Sequence, residues 1–435
     1  MSTTTLASAF DNLRTNLDAA VEKFDLSDTE QEFAIASNAR RRARNDFRAG
    51  SRLATAALVD DDGLLRWEYD PPPISSRRRA RRGGLIGHPD VVHSFQFVEP
   101  HPNEFTQKLE DLDHKLTPCR GLRQWVQGKD TALSAPTIKD PVLLLIHGTF
   151  SKSDMFLQEF AAAPNNAGAS FVAAAEKNYK AVLTFDHPTL SVGPWLNALD
   201  LAQQMKNVTG PIDVICHSRG GLVTAWWLFH AAPKVRNVIF VGSPLAGTSL
   251  AAPNRLKAAL DLLANLARAI GTLANVSSTA LPMLAVTGGL FKLIGGMLSF
   301  GSSSPLLDAG INLVPGLSAQ SHVTNNFEIQ RLFAADWGSN FKLHAVMSDF
   351  EPQAVNDPIW KFWKYWRRMP ATIADAGADF IFGGPNDLVV DTASMCMFGK
   401  SSLTGLSFDK AKSVHHCAYF RNPETLDFLT ATLGL

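Results

Sequence analysis

Cysteine, net charge and a leader-like start are what this chain has least of. Its 435 residues carry 4 cysteines, at 119, 216, 396 and 417, and no Cys-x-x-Cys pair. Such scatter argues against a disulfide framework and for reduced thiols in a cytosolic setting. The 41 Lys and Arg balance the 41 Asp and Glu. With no global field to draw it to nucleic acid, any such affinity would have to be local, and no nucleic-acid partner is expected. The stretch from Met1 to Asp11 lacks the basic region and apolar run of a secretion signal, so the expected location is the cytoplasm. A membrane span is also disfavoured. The most apolar stretch, Leu281 to Phe300, has Pro282 near one end, Lys292 near its middle and four glycines, and a lysine at mid-bilayer depth is costly.

What is present reads as globular, with 46% hydrophobic and 19% charged residues. The length exceeds what one core supports, which predicts a large domain plus an accessory segment or a sizeable insertion. Residues 1–135 differ in texture from the rest. Leu13, Leu17, Val21 and Phe24 recur at helical steps, and strand-like pieces follow at Leu64 to Tyr69 and Ser94 to Val98. Two basic blocks, Arg40 to Arg44 and Arg77 to Arg82, could dock on lipid headgroups or nucleic acid. Without interleaved aromatic rings for base stacking they read as solvated surface.

The pattern is sharpest between Pro211 and Trp227. Ile212 to Cys216 is a short β-branched run suited to a strand buried on both faces, and from Gly220 onward apolar residues take helical spacing. The change of period falls on Ser218. A serine at such a corner sits on a sharp turn that lifts its hydroxyl out of the sheet, where outward backbone N–H groups can hold a developing negative charge. Gly220 keeps the trailing flank small, while Cys216 stands in the leading position where glycine is usual. A buried turn whose serine only caps the helix is the other reading.

Around this corner strands and helices alternate. Val142 to Ile146, bounded by Pro141 and His147-Gly148, reads as a central parallel strand. Ala181 to Phe185 ends in Asp186-His187-Pro188 and leads to a helix around Trp195 to Met205, and Val235 to Val241 runs into Leu245-Ala246-Gly247-Thr248-Ser249. From Pro253 to Gln330 the alternation stops and the chain is apolar and helical. Phe341 to Met347 is the next strand. In a second insertion, about 351–379, aromatic rings alternate with Lys and Arg from Trp360 to Arg368, fit either for a membrane surface or for packing. A short strand, Phe380 to Phe382, then breaks at Gly383-Gly384-Pro385 and presents Asn386-Asp387-Leu388-Val389-Val390-Asp391. Near the end stand His415 and His416, of which only one can face a given group in extended chain. Neither a zinc site at His415, His416 and Cys417 nor a phosphate loop at Gly399-Lys400-Ser401 has its full residue set, so no metal and no cofactor is expected.

Taken together, His147-Gly148-Thr149, the elbow at Ser218, the Gly247-Thr248-Ser249 turn, the Asn386-Asp387 element and His416-x-x-Tyr419 resemble, in this order, bacterial lipases and esterases of the α/β-hydrolase fold. The resemblance covers residues 136–435. It implies a mostly parallel sheet flanked by helices, with an apolar helical cap at about 253–335 and residues 1–135 as an accessory segment. It further implies Ser218 as nucleophile and the backbone N–H groups of Thr149 and Arg219 as the oxyanion hole. Asp387 matches the family's Asn-Asp-Gly-x-Val element, with Leu388 where glycine is usual and Asp391 in reserve. The His-x-x-Tyr spacing selects His416 as base, with His415 as the alternative. Asp186 and His187 are set aside, because the order in this fold is serine, acid, histidine. The implied substrate is an acyl ester, lipid-like because an aliphatic cap suits an acyl chain, with peripheral contact to a membrane surface. The same residues would also serve acyl transfer or thioester or amide cleavage, and a catalytically silent scaffold is the rival of another class.

Overall fold

A computed structural model describes residues 3–27, 53–61, 64–70, 90–98, 104–126, 128–231, 233–251, 256–273, 280–298, 314–337, 340–352 and 385–435. The basic blocks at 40–44 and 77–82, the aromatic and cationic run at 360–368 and the strand expected at 380–382 lie outside them. The chain divides into two compact units. The first comprises 1–115, 253–310 and 354–369, and the second 116–252, 311–353 and 370–435.

The first unit is built on a small antiparallel sheet. Strand β1 (Leu53–Asp61) lies between β2 (Leu64–Asp70) and β3 (Val91–Val98). Its Ala54, Ala56, Ala57 and Leu58 are wholly buried, since the Thr3–Lys23, Leu256–Leu273 and Ala280–Leu298 helices pack on the sheet. The apolar character of the Ala280–Leu298 helix has its reason here. Leu284, Val286, Leu290, Phe291 and Ile294 are each at most 1% exposed, and Phe291 stacks on Trp67 with ring centroids 5.5 Å apart. A helix apolar on every side is a core helix when other elements surround it. Lys292 sets its ammonium 5.9 Å from the Phe97 ring centroid, which gives the one charge of that run a partner. Among the described residues no helix is long and apolar enough to cross a membrane. The aliphatic side chains expected to line an acyl-chain pocket are, at these positions, spent on the core of their own unit.

The Leu256–Leu273 helix also closes the open edge of β2. Asn265 accepts from the Leu65 N–H at 3.0 Å and donates to its carbonyl at 2.8 Å, and Asp261 accepts from the Trp67 N–H at 2.8 Å. Polar side chains thereby satisfy edge groups that would otherwise recruit another strand.

The second unit carries the larger sheet. Its strands are β4 (Gly121–Val126), β5 (Lys129–Ala132), β6 (Val142–Ile146), β7 (Ala181–Asp186), β8 (Ile212–His217), β9 (Val235–Val241), β10 (Lys342–Ser348) and β11 (Gly405–Phe408). They lie in the order β11-β10-β9-β8-β6-β7-β4-β5. From β7 to β11 all neighbours are parallel, and β4 runs antiparallel to both its neighbours, β7 and β5. In β6 the side chains alternate between two cores. Val142, Leu144 and Ile146 meet residues of the Pro194–Met205 and Gly220–Ala231 helices, while Leu143 and Leu145 meet those of the Asp154–Ala161, Ala167–Asn178 and Pro423–Leu433 helices. Because both faces are covered, the central strands read as continuous apolar runs. This mostly parallel, helix-covered sheet is an α/β-hydrolase fold.

The edge closure in the first unit is directly testable. Asn265→Ala leaves a buried N–H and C=O of β2 unpaired, at roughly 1–3 kcal/mol each. A urea denaturation series should show about 2–4 kcal/mol lost, and an unchanged midpoint would mean that the edge is satisfied otherwise.

Candidate active site

At the end of β8 the backbone turns through Ser218 with φ at 53°, in the left-handed region. For a residue with a Cβ that conformation costs about 1–2 kcal/mol, so the surroundings must impose it. They do so from both sides. The Ser218 N–H donates to the Val241 carbonyl at the end of β9, at 2.9 Å, and the Gly220–Ala231 helix starts two residues later. Cys216, in the leading position, is fully buried with its Sγ 3.6 Å from the Ile239 carbonyl. Burial pushes its thiol up to about 12, so it serves as a small apolar wedge.

The loop after β6 lies directly on this corner. A Cβ placed on Gly148 would stand 2.7 Å from the Ser218 Cβ and 3.2 Å from the His217 carbonyl, an approach that only glycine permits. His147 holds the loop in place. Its Nδ1 donates to the Gly148 carbonyl at 2.9 Å, its Nε2 accepts from the His187 N–H at 3.2 Å, and its ring stacks on His187 at 4.0 Å. Such pairing requires a neutral ring with the proton on Nδ1. Thr149, the next residue, donates its hydroxyl to Gln320 Oε1 at 3.1 Å, and Gln320 in turn donates to the Gly316 carbonyl at 2.6 Å. Arg219 is buried, and its guanidinium donates to the Val192 carbonyl.

Asp186 and His187, set aside in the sequence, are buried braces of this loop. Asp186 Oδ1 accepts from the Ser153 N–H at 2.7 Å. Burial raises its carboxyl above the usual range, against the pull of Ser153 and Arg123. Burial, with His147 and Arg219 nearby, holds His187 well below an ordinary imidazole.

Asp387 and His416 meet. His416 Nδ1 lies 2.7 Å from Asp387 Oδ2, and the His416 N–H donates to the Asp387 carbonyl at 3.0 Å. The other carboxylate oxygen, Oδ1, accepts from the N–H groups of Val389 and Val390 at 3.0 and 2.8 Å. Burial alone would raise the Asp387 carboxyl, but the His416 ring and those two N–H groups outweigh it and hold it below the usual range. The turn that delivers both N–H groups puts Leu388 at φ 84°. A left-handed residue is needed at this position, which accounts for glycine being the usual occupant, and Leu388 fills it with a buried side chain.

The pair lies beside the serine corner. A Cβ on Gly242, the residue after the acceptor of the Ser218 N–H, would stand 3.2 Å from Asp387 Oδ2 and 3.3 Å from His416 Nδ1. His217 donates from Nε2 to the His416 carbonyl at 3.1 Å, with the two ring centroids 4.8 Å apart. The ends of β8 and β9 thus gather Ser218, His416 and Asp387, as the C-terminal edge of a parallel sheet does. The two alternatives point elsewhere. His415 packs edge-on to Phe350, with centroids 5.9 Å apart, and its Nδ1 accepts from the Cys417 N–H. Asp391 accepts from the Ser249 N–H at 3.4 Å.

Sequence reasoning named His147 only as part of a motif and His187 only as a loop residue, and gave no part to His217, Gln320 or the hydroxyl of Tyr419. Only their tertiary contacts distinguish them from core residues. Among the described residues no group of three or more His, Cys, Asp or Glu could hold a metal ion.

Buried neutral imidazoles make the stability of this region pH-dependent. Burial lowers His217 to about 3 and His415 to about 4, from an ordinary 6.5. Above 6.5 each ring is neutral whether the chain is folded or unfolded. Below it only the unfolded chain takes up the proton, so stability falls as pH drops from 6.5 toward the folded value, by about 1.4 kcal/mol per unit and per ring. His415→Asn, which keeps an acceptor for Cys417, should remove one ring's share of the slope between about pH 6 and 4.5 in urea denaturation. An unchanged slope would mean that His415 takes up its proton in the folded chain.

Several solved structures are similar to the chain. Mature lipase BlEst2 of Bacillus licheniformis is 17% identical, with a TM-score of 0.35 over 70% of this chain and 96% of its own. Lipase 1 of Pelosinus fermentans is 12% identical, with a TM-score of 0.41 over 69% and 99%. Carboxylesterase CesB of Bacillus subtilis is 13% identical, with a TM-score of 0.34 over 77% and 98%. No curated protein matches the sequence. Residues 114–434, which take in the second unit up to its penultimate residue and the 253–310 and 354–369 segments of the first, match the family described as a domain of unknown function, DUF7379, and the chain belongs to that family.

Proposed function

We propose that the chain is a serine hydrolase that cleaves carboxylic esters through an acyl-enzyme on Ser218. The observation that carries this reading is the strained left-handed Ser218, pressed by the backbone of Gly148 and flanked by a buried carboxylate bound to an imidazole. A structural turn has no need of that pair beside its serine. In the proposed cycle the Ser218 hydroxyl attacks the ester carbonyl as His416 takes its proton, and Asp387 holds the ring by Nδ1 and stabilises its charge. The carbonyl oxygen becomes an anion, received by the backbone N–H groups of Thr149 and Arg219. His416 returns the proton to the leaving alcohol, and the acyl group remains on Ser218. Water, deprotonated by the same ring, then releases the acid and restores the hydroxyl.

Acyl esters of lipid-like character are the substrate class we propose, on the strength of the motifs alone, since the described aliphatic side chains of the Leu256–Leu273 and Ala280–Leu298 helices are core residues. A panel of p-nitrophenyl esters of graded length measures where the acyl preference lies, and added alcohols or amines would reveal transfer in place of hydrolysis.

Labelling by a fluorophosphonate probe tests the reading. Wild type should label and Ser218→Ala should not. His416→Ala and Asp387→Ala should each slow ester turnover by roughly 10³- to 10⁴-fold or more, while His415→Asn and Asp391→Asn should stay within about 10-fold, as groups outside the proton path. Absence of label on wild-type protein would favour the scaffold reading, and equal label on Ser218→Ala would move the nucleophile elsewhere.

A further inference from the structure

The hydroxyl of Tyr419 donates to Asp387 Oδ2 at 2.9 Å, the same oxygen that lies 2.7 Å from His416 Nδ1. Tyr419 is fully buried, its ring lies where a Cβ on Gly242 would come within 2.7 Å, and its Oη has the Met395 sulfur 3.6 Å away. Gly242 itself is at φ 55°, so β9 ends in a conformation that suits glycine and makes room for that ring. The carboxylate therefore receives four donors, two backbone N–H groups on Oδ1 and a phenol and an imidazole on Oδ2.

From this geometry we propose that Tyr419 is a positioning residue which fixes the rotation of the Asp387 carboxylate and moderates its pull on His416; the proposal rests on the serine-hydrolase reading. Two backbone donors anchor Oδ1, but the plane of the group is still free to tilt about that anchor. A second donor on Oδ2, fixed in a packed ring, removes this freedom. It also withdraws negative charge from the oxygen that stabilises the imidazolium, since a hydrogen bond to a charged acceptor disperses its charge. Burial and the Asp387 charge hold the phenol well above its ordinary ionisation range, so it remains a donor throughout the working range.

The other titratable groups around the pair are each shifted by burial or by a partner. His217 on β8 is held at about 3 and His415 at about 4, burial being the main cause for both, and burial pushes the Cys417 thiol up to about 12. Arg421, raised by its hydrogen bond to Glu159, stays charged, and Asp391 is raised from the ordinary carboxylate value by burial.

Tyr419→Phe keeps the ring and deletes only the donor. Loss of a hydrogen bond to a charged group should lower kcat by about 10-fold with KM little changed, and the acid limb of the kcat/KM profile should move to higher pH by about half a unit, because the less-solvated carboxylate favours the protonated ring. The effect should vanish in an Asp387→Asn background, since Tyr419 acts through that carboxylate. A purely structural tyrosine would lower the melting temperature and leave the acid limb in place, and that result would overturn the proposal. So would a kcat loss of equal size in the Asp387→Asn background. Labelling of Ser218 in the same preparations separates the two levels: a labelled wild type with an unmoved acid limb refutes the role of Tyr419, whereas an unlabelled wild type refutes the hydrolase reading itself.

Discussion

A serine forced into left-handed backbone at the end of a fully buried strand is the constraint to which the rest of the second unit is fitted. Ser218 can hold φ 53° because its N–H is committed to Val241 on the next strand and the helix begins almost at once. Neither support exists without the parallel pairing of β8 and β9. Once the corner is fixed, the Gly148 loop is pressed against it from β6, and the turn after β9 becomes the floor for Asp387, His416 and Tyr419. The apolar strands that fill the sheet therefore do more than stabilise it, because their ends set the distances among the polar groups.

Electrostatics around the corner follow one rule. Burial shifts nearby imidazoles down, and the buried Asp387 carboxylate is saturated with donors. His147, His187, His217 and His415 are all buried, and the last three are shifted well down. Asp387 escapes the same penalty through four hydrogen bonds. Two loops share the work of holding it, since the Thr248 hydroxyl donates to the Val389 carbonyl at 2.6 Å and Ser394 bridges the Ala246 N–H and the Gly247 carbonyl. The Gly247-Thr248 turn thus acts as a tie to the acid loop.

The first unit answers a different physical problem. A three-stranded sheet cannot bury itself, so two segments far apart in the chain supply its cover, and the helix from the later segment also satisfies the edge of β2. That demand accounts for a helix with almost no polar side as an element of core.

Local pattern was enough for a good part of this. Change of period at Ser218, the five-residue apolar strand before His147, and the order of serine, acid and histidine mark the parallel sheet and its loops, because strand and helix periodicity and turn residues are written in adjacent positions. Adjacent positions could not choose between His415 and His416 by themselves, nor between Asp387 and Asp391. Those choices depend on which side chain reaches across 29 residues of chain to make the 2.7 Å contact. Nor could they show that the apolar stretch after Pro253 joins the N-terminal sheet, since hydrophobicity states that a surface must be buried and is silent about its partner. The sequence by itself determined which segments become strands, corners and core. Tertiary structure decided which polar atoms face one another, because a hydrogen bond is directional and local in space while its two ends are remote in the chain.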